Sequence, residues 1–397
     1  MKLLLFVRRN FVGLVAVLVM VGSIFYSGLI KPIGARDIDA RYFYVAARCW
    51  ASGESPYDAT RYKAMYRATF SLEPDALFVA YLPTLMPVVL PMAPLDWWAA
   101  ARLFGALNFS AAMLLLWASY RLVRELLGAP LRLMHWSWLT LGTTIGGVSG
   151  SISTGQTSVL IAAACALALL GCRLQNRSMV IAGTVIASAK PHLSAPILLF
   201  ILIFEPTQRK SMFIAGAIIM AFIAYAAVLD GNLLANYLGA IKTYNAISNN
   251  DPKLQIGLGS FLAYATLSPL VVQVLSVAAL AISLTLAGVL YRRGDLGKRG
   301  SALALTLVFF SIGIVHSIQG YDVCIYAMGI SLCSMLSRRM QLMYLVPTIL
   351  LWRPTVLSMA IPVLRAVSIA DLGWLMLLTG CIYFAARMIS VRSISTD

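Results

Sequence analysis

A short polar segment, residues 36–44, carries the densest group of chemically active side chains in the sequence. It reads RDIDARYFY and so places two carboxylates and two guanidinium groups beside three aromatic rings. A carboxylate can take the proton of a hydroxyl group, and an arginine beside it can bind a phosphate. The segment follows an uncharged run, Phe11 to Ile30, that is long enough to cross a bilayer as a helix. It therefore indicates either a reactive site at a membrane surface or a solvated loop with the aromatic residues that gather there.

Other unusual polar residues lie between or at the ends of apolar runs. They are Gln156, the pair Lys190 and His192, and the stretch from His316 to Asp322. No Ser-His-Asp order, phosphate-binding glycine loop or metal-ligand spacing accompanies them. The set favours transfer of a group from a phosphate-activated donor to a hydroxyl, with a carboxylate as base and cations binding the leaving phosphate. Because the sequence has no soluble nucleotide-binding domain, we expect the donor to be a lipid phosphate in the outer leaflet.

Each of these residues also has a structural interpretation. Lys190 lies between two short apolar runs and could extend its ammonium group to the membrane surface. A lysine at such a depth is otherwise costly, which is typical of a functional site. Gln156 could hydrogen-bond between helices, and His316 could cap a helix carbonyl. Tyr57 and Tyr81 are more typical of the aromatic belt at a membrane interface than of a ligand site, although either ring could stack on a sugar.

The composition is that of a membrane protein. Of the 397 residues, 60% are hydrophobic and 12% are charged, and the mean hydropathy is +0.84. A soluble protein carries about a quarter charged residues. The net charge of +16 comes from small basic clusters between apolar runs, which predicts contact with membrane lipids rather than nucleic acid. The six cysteines have no spacing that indicates zinc or a disulfide. We therefore predict an all-α, polytopic integral membrane protein with about 11–12 membrane segments in a single domain, residues 1–397.

The basic residues also predict the topology. Lys2, Arg8 and Arg9 precede the first apolar run, so the N-terminus is expected in the cytoplasm and the run is expected to remain as an anchor. Residues 31–97 then form an external loop, and residues 387–397 form a short cytoplasmic tail. This topology places eleven of the fifteen acidic residues outside, all except Glu125, Glu205, Asp295 and Asp397.

The predicted membrane segments follow from the apolar runs. The prolines at 83, 87, 91 and 94 argue against a regular helix in the apolar part of the first loop, which we expect to be interfacial or re-entrant. The remaining runs are 98–120, 136–154, 157–172, the short pair 178–189 and 193–204, 211–229, 268–291, 301–315, 323–336, 341–352 and 372–386.

Several short motifs follow one another in a recognisable order. They are Asp39 ahead of Phe43-Tyr44-x-Ala46-Ala47, Gly53-x-x-Pro56-Tyr57-Asp58, Tyr81-Leu82-Pro83, Gly155-Gln156, Ala182-Gly183 ahead of Lys190-Pro191, and His316 followed by Asp322. This order, over residues 37–325, resembles glycosyltransferase family 87, also described as the DUF2029 group. Each motif is short, but their common order on one predicted face makes the resemblance fairly specific.

The resemblance implies a C-type glycosyltransferase fold and an activity at the outer face of the cytoplasmic membrane. The donor would be a polyprenyl-phosphate sugar, with mannose the expected hexose, and the acceptor a lipid-linked or envelope glycan; no cofactor is expected. By the same resemblance Asp39 is the base, and Lys190 and His316 lie near the donor phosphate. Asp37 remains a competing base, although the spacing of Asp39 to the Phe43-Tyr44 pair fits the family. We expect Arg36 and Arg41 to keep Asp39 ionised, and the further substrate-binding residues are Arg36, Asp37, Arg41, Tyr44, Tyr57, Gln156, His192, Gln319 and Asp322.

Two other functions stay open. A transporter or flippase of lipid-linked sugars would show repeated halves and ionisable residues near the bilayer midplane. No internal repeat is visible, and the polar residues lie near one predicted face. A non-catalytic assembly factor would leave the ordered motifs unexplained.

Overall fold

Helices dominate the structure, as the composition predicts. The structure is a computed structural model, and it describes residues 11, 13, 15–22, 25, 26, 38–74, 81–245, 255–264, 267–293, 296–315, 318–352 and 366–393. The chain is 85% helical and has no strand in this part; an isolated antiparallel bridge joins Ile256 and Ile318.

The main helices are numbered in chain order. They are α1 (Ile38–Ala51), α2 (Ala59–Phe70), α3 (Trp97–Leu127), α4 (Leu133–Thr143), α5 (Gly146–Thr154), α6 (Ser158–Arg173), α7 (Arg177–Ala187), α8 (Pro191–Phe204), α9 (Arg209–Leu229), α10 (Leu233–Asn245), α11 (Leu258–Tyr264), α12 (Pro269–Arg292), α13 (Gly297–Phe310), α14 (Arg338–Trp352) and α15 (Ala366–Ser393).

The apolar helices confirm the prediction of an all-α polytopic protein. Within the described residues, five are long and apolar enough to cross a membrane: Trp97–Leu127, Pro206–Leu229, Leu270–Arg292, Gly297–Ile314 and Ile369–Ser390. Shorter apolar helices cover Pro83–Met92, Ser158–Arg173, Arg177–Ala187 and Pro191–Phe204. The last two agree with the predicted short pair, and Pro83–Met92 is a series of short turns, as its prolines predict.

Helix α3 is longer than the predicted run 98–120. Asp96 caps its N-terminus by accepting a hydrogen bond from the backbone N–H of Ala99 (2.9 Å), and Gly128 ends it with a φ of +61°. Between these caps, Arg121 and Glu125 form an ion pair one turn apart (3.1 Å). Arg121 and Arg124 therefore lie in the last turns of this helix.

Two predicted membrane runs are not regular helices. The run 136–154 is broken at Ile145, which has an extended backbone, and so separates into α4 and α5. The run 323–336 consists of short 3₁₀ and α turns. The two broken runs pack against each other at Gly147, where an added Cβ would lie 2.4 Å from the backbone nitrogen of Cys324. Irregular backbone is tolerated at membrane depth when protein surrounds it, and residues 323–336 are buried throughout.

Helix α6 lies at the centre of the fold. Its residues from Ser158 to Cys172 are almost all buried, and α3, α7 and α8 surround it. Gly183 on α7 allows the closest approach, because an added Cβ there would lie 2.6 Å from the carbonyl oxygen of Ala164. The Ala182-Gly183 motif thus has a packing role, which brings the end of α7 against the core.

The predicted external loop, residues 31–97, is folded rather than extended over the described part. Helix α1 buries an apolar face that includes Phe43, Ala46, Ala47 and Trp50, at the spacing expected for one side of a helix. Asp58 caps α2 through hydrogen bonds from the backbone N–H groups of the helix start. The side of the membrane on which this region lies stays a prediction.

Candidate active site

The first turn of α1 meets the end of α5. Asp39 is half-buried in that turn, and its neighbour Ala40 packs against Gly155. Gly155 ends α5 with a φ of +69°, a conformation that glycine adopts without strain. An added Cβ would also lie 2.7 Å from the Ala40 side chain. Glycine is therefore needed at this position for both its backbone and its size, and it places Gln156 beside Asp39.

Gln156 connects Asp39 with Tyr81. Its backbone N–H donates to the carbonyl of Ser151 (2.8 Å), and its own carbonyl accepts from the Ser151 hydroxyl (3.1 Å). The side-chain oxygen accepts a hydrogen bond from the Tyr81 hydroxyl (2.6 Å), and the side chain also hydrogen-bonds the Asp39 carboxylate. Both Gln156 and Tyr81 are buried, so these three polar groups form a defined chain.

A buried ion pair also acts on Asp39 through its charges. The Lys190 ammonium group is 2.5 Å from Oδ1 of Asp322, and the same oxygen accepts from the Ser158 hydroxyl. Lys190 also donates to the Ser158 hydroxyl (2.9 Å), while Oδ2 of Asp322 accepts from the backbone N–H of Gln319 (3.3 Å). Removing one partner from such a buried pair is strongly destabilising, because it leaves an uncompensated charge.

Aromatic rings flank the Lys190 ammonium group. Its nitrogen lies 5.7 Å from the ring centre of Tyr81 and 5.2 Å from that of Tyr321, within the range of a cation–π interaction. The backbone N–H of Leu82 donates to the carbonyl of Ala189 (3.0 Å), which joins the Tyr81 segment to the turn between α7 and α8. The ion pair and the Tyr81–Gln156 pair are therefore parts of one site.

Burial raises the pKa of Asp39, and some neighbouring groups lower this pKa while another raises it. The hydrogen bond from Gln156 and the positive charge of Lys190 lower the pKa, whereas the negative charge of Asp322 raises it again. The net effect is a pKa above the ordinary value for aspartate.

Arg41 does not act on Asp39 in the way the sequence predicted, and the expected influence of Arg36 stays a prediction. The Arg41 guanidinium group lies over the rings of Phe70 (5.2 Å) and Trp97 (5.9 Å). Residues two apart on a helix do not face each other, so Arg41 and Asp39 point to different neighbours. Arg36 lies outside the described residues. Lys190 supplies the nearby positive charge instead, and the pKa of Asp39 is raised rather than held low.

Comparison with known sequences identifies the protein family. A sequence model of glycosyltransferase family 87 matches residues 78–315, more than half of the chain. The chain belongs to glycosyltransferase family 87. No curated protein and no solved structure matches the chain. Family 87 membership makes the protein a membrane glycosyltransferase and implies a sugar donor and an acceptor.

The family 87 match includes much of the site. Tyr81, Gln156 and Lys190 lie within the matched residues, whereas Asp39 precedes them and Asp322 follows them. The hydrogen bonds and the ion pair described above join both carboxylates to the matched part.

The structure brings together four of the predicted site residues, from regions that are far apart in the sequence. They are Asp39, Gln156, Lys190 and Asp322. Three others, Arg36, Asp37 and His316, lie outside the described residues.

Most of the remaining predicted residues have other contacts. The hydroxyl of Tyr44 donates to the carbonyl of Leu95 (2.6 Å), and that of Tyr57 donates to the carbonyl of Tyr81 (2.7 Å). His192 is half-buried in the first turn of α8. Their roles in binding substrate stay predictions.

Three residues of the site were absent from the predicted set. Tyr81 was interpreted mainly as a residue of the aromatic belt, and Ser158 and Tyr321 were not named as site residues. Ser158 follows Gln156 by two positions, and Tyr321 directly precedes Asp322. Their closeness to these motif residues in the sequence could have indicated that they belong to the site. Among the described residues, no group of three or more His, Cys, Asp or Glu side chains could hold a metal ion.

Proposed function

We propose that this family 87 protein transfers one hexose, mannose, from a polyprenyl-phosphate donor to a hydroxyl of a lipid-linked or envelope glycan acceptor. The reaction takes place at the outer face of the cytoplasmic membrane. The main support for the proposal is the environment of Asp39. This carboxylate is half-buried, it is hydrogen-bonded by the Gln156 side chain, and the charges of the Lys190–Asp322 pair act on it.

Asp39 serves as the base. A hydroxyl is a poor nucleophile until its proton can leave, and a base works best when its pKa lies near the operating pH. Burial supports this role because it raises the pKa of Asp39 from its ordinary acidic value. The Gln156 hydrogen bond and the charge of Lys190 limit that rise, because both favour the ionised form.

The other carboxylate of the site is already occupied. Asp322 accepts hydrogen bonds from Lys190, Ser158 and the Gln319 backbone. Asp39 is therefore the carboxylate that can react, which favours a single displacement over a route with a covalent sugar–enzyme intermediate. The acceptor oxygen forms a bond to the anomeric carbon of the sugar while the bond from that carbon to the phosphate oxygen breaks. Polyprenyl phosphate leaves with the electron pair, the acceptor proton goes to Asp39, and the anomeric configuration inverts.

In the proposed reaction, Lys190 and His316 bind the donor phosphate. Because Asp322 compensates the charge of Lys190, the phosphate meets an oriented dipole rather than a free cation. Such preorganised polar groups stabilise charge that develops in the transition state without rearrangement. The flanking rings of Tyr81 and Tyr321 hold the ammonium group in place.

The outer-face position rests on the charge distribution. The basic residues are concentrated in the connections assigned to the cytoplasm, and most acidic residues, including Asp39 and Asp322, are assigned to the other side. A donor anchored by its polyprenyl chain would reach the site from the bilayer.

The direct test uses purified full-length protein with radiolabelled polyprenyl-phosphate mannose and a crude envelope lipid extract. We expect label to move from the donor to an acceptor lipid or glycan, and we expect the Asp39→Asn variant to lose this transfer. Movement of intact donor between the leaflets of proteoliposomes, with no labelled acceptor, would show a transporter of lipid-linked sugars instead.

A further inference from the structure

Tyr81 is held from several sides in one orientation. Its ring packs edge-on against Phe43, with ring centres 4.9 Å apart, and lies near the Lys190 ammonium group. Its carbonyl accepts from the Tyr57 hydroxyl (2.7 Å), and the next residue, Leu82, hydrogen-bonds Ala189. Contacts with helix α1, with Tyr57 and with the turn before α8 therefore determine the position of the Tyr81 hydroxyl.

This hydroxyl determines which end of the Gln156 amide, the oxygen or the NH₂ group, can bond to another residue. A tyrosine hydroxyl that donates to the amide oxygen leaves the NH₂ group as the part that can donate elsewhere. The Tyr81–Gln156 distance of 2.6 Å is that of a well-formed O–H···O bond. Because Ser151 holds the Gln156 backbone at both its N–H and its carbonyl, the remaining freedom is rotation of the side-chain amide.

We infer that Tyr81 is a positioning residue for sugar transfer: its hydroxyl holds the Gln156 amide so that the NH₂ group, and not the oxygen, faces the Asp39 carboxylate. The inference rests on the proposed role of Asp39 as base. Tyr81 does not exchange the transferred proton in this arrangement. It acts through Gln156 by favouring the ionised form of the base.

Loss of the hydroxyl has a specific consequence. Without it, the amide can turn by half a rotation and present its oxygen to Asp39. An acceptor facing a carboxylate disfavours the ionised form, whereas a donor favours it. Asp39 then needs a higher pH to lose its proton. The rate falls where the base is mostly protonated and recovers where it is fully ionised.

The test is the pH dependence of transfer by purified full-length protein, with labelled polyprenyl-phosphate mannose at saturating concentration and the acceptor extract described above. We expect Tyr81→Phe to move the acidic limb of the profile to higher pH by about one unit, the equivalent of one hydrogen bond. At pH values on that limb the rate falls about tenfold, and it approaches the wild-type rate at alkaline pH. Tyr62→Phe is the matched control, because it removes a buried hydroxyl that donates to the carbonyl of Tyr42 (3.3 Å) instead; its profile should not move.

A second variant shows whether Tyr81 acts through Gln156. Gln156→Leu removes the amide and should move the acidic limb in the same direction. Adding Tyr81→Phe to Gln156→Leu should then cause no further movement. An unmoved limb in Tyr81→Phe, or a further movement in the double variant equal to that of Tyr81→Phe alone, overturns the inference.

The proposed function has a separate outcome. If wild-type protein transfers no sugar, the proposed function is wrong. If Asp39→Asn keeps both the activity and the acidic limb, the assignment of the base is wrong. If transfer depends on Asp39 but the limb stays in place in Tyr81→Phe, only the role of Tyr81 is wrong.

Discussion

Lys190 and Asp322 are 132 positions apart in the sequence, yet their charged groups lie 2.5 Å apart inside the protein. Their side chains are only 4% and 3% exposed. The pair joins the turn before α8 to the segment after α13, and it shares Ser158 at the start of the central helix α6. One interaction therefore couples the stability of the fold to the charge of the site.

This coupling predicts that Lys190→Met destabilises the protein. The variant leaves the Asp322 carboxylate buried without its partner, which costs about 3–5 kcal/mol. Thermal unfolding in detergent should show the loss. The double variant Lys190→Met/Asp322→Asn removes both charges and should recover most of the stability.

The double variant also separates folding from donor binding. If Lys190 contacts the donor phosphate, donor affinity in the double variant should fall by about 1.5–3 kcal/mol, the range for a hydrogen bond to a charged group. Titration of the folded protein with polyprenyl-phosphate mannose measures it. Affinity equal to that of the wild type would remove Lys190 from the donor site.

Asp39→Asn should abolish most of the transfer activity. The amide keeps the shape of the side chain but cannot take a proton, and general base catalysis contributes about 10²–10⁴-fold. Initial rates with labelled donor measure the loss, and donor binding should persist. Asp37→Asn is the matched control and should lose much less; the reverse order of effects would identify Asp37 as the base.

The pH dependence of transfer activity also tests whether Asp39 is the base. Asp39 is active when ionised, and burial raises its pKa. Activity should therefore fall as the pH is lowered through that pKa, at a higher pH than for an ordinary aspartate. The acidic limb should be absent from the residual activity of Asp39→Asn. A limb that survives in this variant belongs to another group.

Gly155→Ala should disturb the site as well as the fold. The substitution introduces strain at a φ of +69° and places a methyl group against Ala40, so it should push the end of α5 away from Asp39. Gly53→Ala is a matched control, because Gly53 has a φ of +72° with nothing within 4 Å of an added Cβ. Both should lose about 1–2 kcal/mol from the left-handed backbone.

The difference between the two glycine variants isolates the contact with Ala40. Gly155→Ala should be the less stable of the two by thermal unfolding and should lose transfer activity, whereas Gly53→Ala should keep it. Equal activity in both variants would mean that the approach of α5 to α1 does not position the site.

The predicted topology can be tested at exposed positions. Ser52 lies after α1 and Thr207 lies before α9, and both are exposed. All six native cysteines are buried and free, so they can be replaced to give a background without them. Single cysteines at the two positions should react oppositely with an impermeant thiol reagent, with Ser52→Cys labelled from outside. Labelling of Thr207→Cys alone from outside would reverse the predicted orientation.

The sequence alone was sufficient for the fold class and for the positions of most helices. Long apolar runs with few charges form helices in a membrane because every backbone polar group must be satisfied within the segment. The short pair around Lys190 and the irregular, proline-rich turns after Tyr81 were predicted for the same local reasons. The family followed from the order of the motifs and is confirmed by the match over residues 78–315.

The breaks in two apolar runs could not be predicted from local sequence patterns. Residues 136–154 are apolar and rich in small side chains, which is equally compatible with one long helix. The break at Ile145 occurs where α5 packs against the segment that contains Cys324. Packing between distant segments, and not local preference, therefore determines this backbone.

The electrostatics of the site also depended on tertiary structure. From the sequence, Arg36 and Arg41 were expected to act on Asp39, but the helix directs Arg41 toward Phe70 and Trp97. Among the described residues, Lys190 is the cation that lowers the pKa of Asp39, and its own charge is compensated by Asp322. Hydrophobic pattern and motif order report on local segments, whereas the pKa of a carboxylate depends on burial and on charges a few ångströms away. Those distances are decided only when helices from distant parts of the chain pack together.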